Sequence, residues 1–546
     1  MNSCTRGPAL SLSFLHRQST DFSHPARLSW PISEVARLFT LAFVVFAATL
    51  VILSLPKENF GREWEQAPQS QEARLVVPHK DEREQRAKSG GVGVQKSLPH
   101  QPKPPSLENP PEIDPFDFPS TSNRMLLAKI HQHLKEIDLD GLMQKECREN
   151  YTLATHWMRT KQKYVPEDDS WEKFYATIGS CAVYTDDQIV QNLLNDLNKL
   201  PIASVHIMDG GTQVKFVLTF ENDKQAVFKP MRFGRDYETD PNHFYFSDFE
   251  RHQAEIATFH LDRVLGFRRA VPTVGRVMNM TSELYEKAEK KLKKTFFVSP
   301  AKNFCFVSRC DYYCDTTHAI CGLPDLKEGS VQVFLPDETA VPRKHNRSPY
   351  RRTYSKKNQV AEWQSNMDYC TEVKTKKPYA HGRKLLDLID LHILDYLIGN
   401  QDRHHFESFN VFETLPSYAI HLDNGRAFGK SDFDDDDILL PLRQCCVIRP
   451  STLAKILGFY SQPKSLSRAL HSSMSKDPVH PILAFKHYPA IERRLGKLVA
   501  YLLECFEKVP ASQIVLPEFH NTNVPGDGVD EEEKSEEDEK KDDKKT

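Results

Sequence analysis

The chain has 546 residues, 10% of them aromatic and 27% charged, and a formal net charge of −3. That length allows three or four domains of about 150 residues, yet the first 120 residues and the last 20 lack a globular pattern, which leaves enough chain for one two-lobed domain with a sizeable core. The balanced charge excludes bulk nucleic-acid binding.

In chain order, residues 1–37 carry Arg6, Arg17, Arg27 and Arg37, and Leu38–Leu55 is an uncharged run of eighteen residues. About 20 apolar residues cross a bilayer, and cytoplasmic flanks favour Lys and Arg. The pattern predicts a cytoplasmic N-terminus (1–37), a transmembrane signal anchor (38–55) and a luminal remainder. A cleaved signal peptide is the alternative, and it too sends the bulk of the chain into the secretory pathway. Residues 56–120 are rich in Glu, Gln, Lys and Pro, with eight prolines between Pro99 and Pro119. Such a stretch buries too little apolar surface to offset chain entropy, so it is expected to be a disordered stem.

Residues 121–200 read as a helical extension, with apolar residues at three- and four-residue spacing. A catalytic domain is expected over 201–515. ASVHIMDGGTQVKFVLTF and KQAVFKP read as strands, with a hairpin turn at Asp209-Gly210-Gly211. FERHQAEIATFHLDRVLG returns to helical spacing, and 383–398 form a strongly apolar helix of the sort buried in a large lobe. A strand pair, a lysine strand and a helix follow the order of a kinase small lobe. Residues 516–546 are expected to be an acidic disordered tail.

Beyond Cys4, ten cysteines remain, a number that can pair completely in an oxidising compartment. A zinc site at Cys310-x3-Cys314 with Cys305 and Cys321 is the rival reading. Sequons at Asn150, Asn279 and Asn346 fit a glycosylated luminal protein.

Phosphoryl transfer needs cations for the phosphates, carboxylates for a divalent metal and one carboxylate near the attacking hydroxyl. Gly210-Gly211-Thr212-Gln213 lets backbone approach a phosphate. Lys215 and Lys229 lie on adjoining strands, and Lys229 ends an apolar strand where a point charge would face a cleft. Glu250 is expected to open the next helix, where it can pair with a strand lysine or bind metal; a plain first-turn acid is the alternative. Asp402 in Gly399-Asn400-Gln401-Asp402-Arg403-His404-His405 is followed twenty-one positions later by Asp423 in His421-Leu422-Asp423-Asn424-Gly425. A loop Asp, a strand, then Asp-x-Gly is the kinase spacing of base and metal ligand. Two ordinary turn aspartates, or a zinc site using His404 and His405, are the alternatives.

GNQDRHHFESF, IHLDNGRAFGK, ILLPLRQCCVIR, CDYYCDTTHAICGLPDLKEGS, FKPMRF and YFSDFERHQAEIATFHLDRVLGFRR closely resemble the secretory-pathway kinases called "family with sequence similarity twenty", over roughly residues 150–510. The resemblance implies an α+β, two-lobed, atypical protein-kinase-like fold, with a β-rich small lobe, a helical large lobe and disulfide staples. It implies ATP with Mn2+ or Mg2+ as cofactors, and a secretory-pathway serine/threonine kinase acting on Ser-x-Glu motifs of secreted acidic proteins from the Golgi membrane. A kinase for xylose in proteoglycan linkers, and a non-catalytic activator of a sister kinase, are the other functions in the family. A sister pseudokinase or a second copy is the expected protein partner. The pseudokinase branch has glutamine where Glu250 stands, so Glu250 argues for activity.

Carried over by motif, Gln213, Lys215 and Lys229 contact the nucleotide phosphates or the polar network beside them. Glu250 and Asp423 hold the metal, and Asp402 is the catalytic aspartate. Gln332, Val333, Phe334 and Leu335 form the hinge along the adenine, and Glu407 also touches the nucleotide. The family pattern pairs Cys305 with Cys321 and Cys310 with Cys314, and gives Cys370 and Cys505 one each of Cys445 and Cys446. Cys147 and Cys181, outside that pattern, are expected to pair with each other. The run Arg343–Lys357, with seven Lys or Arg and no acid, is a candidate for holding acidic substrates or else a solvated basic loop.

Overall fold

The computed structural model describes Phe116 and residues 124–523, apart from 149, 161–168, 209, 211, 241–243, 354–359, 413–416 and 462–464. The expected N-terminus (1–37), anchor (38–55), nearly all of the stem (56–120) and residues 524–546 of the tail lie outside the described residues. No helix among the described residues is long and apolar enough to cross a membrane.

Five helices come first: α1 (Arg124–His133), α2 (Leu139–Met143), α3 (Leu153–Arg159), α4 (Ser170–Thr177) and α5 (Asp187–Lys199). In α5, Val190, Leu193, Leu194 and Leu197 fall on one face, and the Asp186 side chain caps the first turn by accepting from Gln188 and Ile189 N–H. That face, with Trp171 and Phe174 of α4, joins the core under the β-sheet. Ile130 of α1 instead joins the large-lobe core. The expected helical extension is therefore not one unit: residues 170–199 belong to the small lobe, because their apolar stripe has no other surface to cover.

The small lobe is a five-stranded antiparallel sheet in the order β1-β2-β3-β8-β4. The strands are β1 (Ile202–Ile207), β2 (Phe216–Phe220), β3 (Gln225–Pro230), β4 (Thr273–Asn279) and β8 (Leu326–Val333). Helix α6 (His252–Leu265) separates β3 from β4, and a small sheet of β5 (Phe296–Val298), β6 (Phe304–Phe306) and β7 (Ile320–Cys321) precedes β8. Alternation fixes the two faces of the main sheet. Phe216, Leu218, Ala226, Phe228 and Val331 are buried on one. Val217, Val227, Lys229, Ser330 and Gln332 lie on the other. At the expected hairpin, Gly210 takes φ 77°, where glycine carries no steric cost; Asp209 and Gly211 are outside the described residues.

The large lobe is built on α7 (Lys384–Ile398), every residue of which from Leu385 onward is buried. Its acids are matched from distant parts of the chain. Asp390 accepts from Arg269, Arg449 and Thr452, and Asp395 from Arg403 and Asn400. An unpaired carboxylate there would carry a desolvation cost of several kcal/mol. Helices α8 (Pro450–Ser461), α9 (Leu466–Met474) and α10 (His487–Lys508) share this core. Two further ribbons pair β9 (Arg343–Arg347) with β11 (His405–Phe409), and β10 (His381–Gly382) with β12 (Phe519–His520). Strand β12 moves the start of the expected tail: residues 516–520 belong to the fold, because Phe519 is buried and pairs with Gly382.

Disulfides join Cys147–Cys181, Cys305–Cys321, Cys310–Cys314, Cys370–Cys445 and Cys446–Cys505. The sulfurs of the rival zinc site are thus bonded in pairs. Adjacent Cys445 and Cys446 reach different partners because Cys446 adopts the left-handed region, φ 49°, at a helix end and turns its side chain toward Cys505.

Candidate active site

Lys229 emerges from β3 on the cleft face of the sheet, deep enough to be 7% exposed. Its Nζ lies 2.5 Å from Glu255 Oε1, 3.1 Å from Glu250 Oε2 and 3.5 Å from Asp423 Oδ1. Burial alone would lower the Lys229 pKa; Glu250, Glu255 and Asp423 more than reverse this and hold the ammonium charged. Burial would raise Glu250, but Lys229, then Lys215 and Arg426, hold its carboxyl below the usual range.

Glu250 does not open the helix. It lies in extended chain just before α6, whose N-cap is Arg251. Gln213 fixes that chain: its Nε2 donates to Asp248 O at 2.7 Å, and its Oε1 accepts the Glu250 N–H at 3.0 Å. Gln213 is buried, so its place is in the polar network behind the cleft. Gly425 passes so close to Glu250 that a β-carbon there would come within 3.0 Å of the Glu250 Cβ.

Asp423 follows the isolated bridge at His421 and adopts φ 54°. Its side chain stays open to the cleft, 3.4 Å from Lys215 Nζ, and Lys215 first of all holds its carboxyl far below the ordinary range. Asp402 lies in the loop after α7, where Gly399 caps the helix at φ 71°. Its Oδ2 accepts a hydrogen bond from Arg426 Nη1. Arg426 also donates to Thr212 Oγ1 at 2.9 Å and to Asp248 O at 3.2 Å. Buried Arg403 ties the same loops from behind, through Asp395, the Leu422 carbonyl and Asn424.

Thr212, Lys215, Lys229, Glu250, Asp402, Asp423 and Arg426 line one cavity of about 170 Å³. Asp423, Arg403, His404 and His405 continue into a neighbouring cavity of about 310 Å³ that Glu407, His345 and Leu422 complete. Of the sequence-predicted residues, Lys215, Lys229, Glu250, Asp402 and Asp423 therefore meet at one point, with Gln213 behind them and Glu407 beside them.

The expected hinge is placed differently. Gln332 shares the cleft face with Lys229, but its amide donates to Thr273. Val333 is buried on the opposite face and its N–H donates to Pro272 O. Phe334 uses its N–H on Gln225 O and accepts from the Tyr175 hydroxyl. The cause is that β8 is an inner strand, flanked by both β3 and β4, so its backbone is engaged on two sides. Of the four, Leu335 is the one that lies beyond these ladder bonds, where the chain leaves the sheet.

Glu250 and Asp423 offer carboxylate oxygens to one cavity, a donor chemistry compatible with a divalent metal. Glu250 Oε2 is buried and, among the described residues, receives no aligned hydrogen bond, while Asp423 presents an exposed carboxylate in the same cavity. An all-oxygen donor set suits Mn2+ or Mg2+. Among the described residues His404 and His405 join no cluster of three close ligating side chains, which leaves the rival zinc site without a ligand set.

A five-stranded lobe carrying a buried lysine, a helical lobe carrying two loop aspartates, and a cleft where these meet define a kinase-type phosphotransferase. Residues 169–514 match the family model described as Golgi casein kinase, C-terminal, Fam20, and the chain belongs to the Fam20 family. It is 71% identical over 492 residues to the Caenorhabditis elegans extracellular serine/threonine protein kinase CeFam20, covering 90% of this chain and 95% of the relative. A solved Golgi casein kinase with Mn and ADP bound superposes with a TM-score of 0.73 at 72% identity, covering 78% of this chain and all of that one. A Danio rerio glycosaminoglycan xylosylkinase is 39% identical, over 65% of this chain and 85% of its own length.

Sequence reasoning missed Glu255, Arg403 and Arg426. Arg403 and Arg426 stand close in sequence to Asp402 and Asp423, but Arg403 bonds Asp395 and Arg426 bonds Asp402, partners that this adjacency does not indicate.

Proposed function

We propose that the chain is a luminal serine/threonine protein kinase that moves the γ-phosphate of ATP to the serine of Ser-x-Glu motifs in secreted proteins. The observation that carries this is the meeting of Lys229, Glu250, Asp402 and Asp423 around one cavity. Lys215 and Lys229 hold phosphate oxygens. Glu250 and Asp423 hold the metal, which when bound neutralises charge between the outer phosphates. Asp402, steadied by Arg426, orients the serine hydroxyl and accepts its proton.

The basic run supports an acidic substrate only in part. Arg343 is paired with Glu338 and Glu407, and Arg352 with Asp435. Arg347 stays exposed on β9, on the same face as the cavity residue His345, and is the cation this reading assigns to the substrate acid. The anchor at 38–55 would tether the enzyme to the Golgi membrane, and a sister pseudokinase or second copy remains the partner this reading provides for. Among the sequons, Asn150 is exposed, whereas the Asn346 amide nitrogen donates to Lys344 O and Ser408 Oγ, which makes it the poorest glycan acceptor of the three.

The deciding experiment offers the protein a Ser-x-Glu peptide and a xylose-containing linker, with Mn2+ and Mg2+ supplied separately. Phosphate is expected on the peptide serine. Phosphate on the sugar alone would make the chain a glycan kinase.

A further inference from the structure

A cavity of about 620 Å³ lies apart from the catalytic one. Its lining includes Lys145, Arg148, Arg383 and Arg449, with His520 on β12 and Glu518 just before it. It sits at the Arg383 end of α7, whereas Asp402 follows the other end. Fifteen residues of helix separate the two, roughly 22 Å at 1.5 Å per residue.

Five separate stretches of chain build this cavity, and they are held in place. The Cys147–Cys181 disulfide pins one wall, and the β10–β12 ribbon forms another. Arg383 Nη1 donates to the Ser180 carbonyl at 2.8 Å, and its Nε donates to Asp387. Arg449 donates to Asp387 and to Asp390, and Arg269 pairs with the same two acids. Three guanidinium groups thus crowd Asp387 and Asp390, and Glu146 faces Arg449 as well. Burial lowers the Arg383 pKa; Asp387 opposes this, and Arg449 and Arg269 add to it. Lys145 and Arg148 stand exposed and have no ion pair among the described residues. The single acid, Glu518, is at the exposed rim, 3.7 Å from His520.

An excess of arginine and lysine converging in a preformed cavity is the arrangement that takes doubly charged oxyanions, through charge-assisted and bidentate hydrogen bonds. The lining holds no Trp, Tyr or Phe on which a sugar ring could stack, so a peptide-borne group is favoured over a sulfated glycan. We propose that this cavity is a docking site for phosphoserine in an acidic peptide, separate from the catalytic cleft. It rests on the functional reading above in one respect: the enzyme's own reaction makes that group. A substrate with several Ser-x-Glu motifs would be held by a finished site while the next serine enters the cleft.

The test measures binding of a fluorescent acidic phosphoserine peptide to the full chain by anisotropy, beside its unphosphorylated form and a sulfated oligosaccharide. The phosphopeptide is expected to bind at least tenfold more tightly than the unphosphorylated form. The double variant Lys145→Glu, Arg148→Glu is expected to lose that preference, and Arg148→Lys to keep it. Phosphorylation of a one-site peptide by each variant should match the unmodified chain, which also shows that the variants are folded. Equal binding of both peptides, no loss in the double variant, or capture of the sulfated sugar instead would overturn the proposal. Binding does not require turnover, so a chain that docks the phosphopeptide yet phosphorylates nothing would sink the kinase reading and leave this one standing.

Discussion

Asp402→Ala is expected to lower kcat for the peptide by roughly a thousandfold, the middle of the range for a positioned general base, with nucleotide affinity nearly unchanged. The reason is the division of labour in the cleft. Lys215, Lys229, Glu250 and Asp423 face the phosphates and metal, and Asp402 lies across the cavity from them, against Arg426. Removing its carboxylate takes away the proton acceptor and leaves the phosphate grip in place. Single-turnover transfer and ADP titration separate the two effects. Asp402→Asn keeps the size of the side chain and should fall almost as far. If either variant retains more than about a tenth of the activity, Asp402 is not the base.

Lys229→Met should be damaging in two ways at once. It removes a phosphate ligand, and it leaves Glu250, Glu255 and Asp423 facing each other with their central cation gone. Stripping one partner from a buried ion pair costs roughly 3–5 kcal/mol. Asp423 is open to water, so its share is screened; Glu250 and Glu255 carry most of the loss. The pH dependence has a definite sign. In the unmodified chain Glu250 is held below its ordinary pKa, so it contributes stability above the unfolded value of about 4.3, and that contribution is lost as pH falls through the folded value. Without Lys229 the folded pKa rises and the contribution shrinks. The difference in Tm between the two proteins should be widest near pH 7 and should close on acidification below about pH 4. A gap that stays constant from pH 7 to pH 3 would show that the carboxylates do not depend on Lys229.

The parts of this site visible in the sequence are those governed by local rules. Strand alternation placed Lys229 on the cleft face, and the turn residues around Asp402 and Asp423 marked two loop aspartates at a telling distance. What stayed hidden depends on which side of an element faces which neighbour. Glu255 and Asp262 are both acids inside one helix, yet Glu255 meets Lys229 and Asp262 meets His421. Helical spacing cannot choose between them, because both are buried. The partners of the α7 acids were likewise not legible, since Arg269 and Arg449 reach Asp390 from distant stretches of chain. The surroundings of Gln332 and Val333 stayed hidden too, because the sequence does not say that their strand has neighbours on both sides.

Arg426 has a consequence for how the enzyme must move. It grips Thr212, beside the phosphate-facing turn of one lobe, and Asp402, on the other, at the same time. Lobes that swing apart to shed ADP have to break the Thr212 bond, because Arg426 and Asp402 both belong to the helical lobe. The proton acceptor therefore keeps its brace while the jaws are open, and what opening undoes is the strap over the phosphate turn.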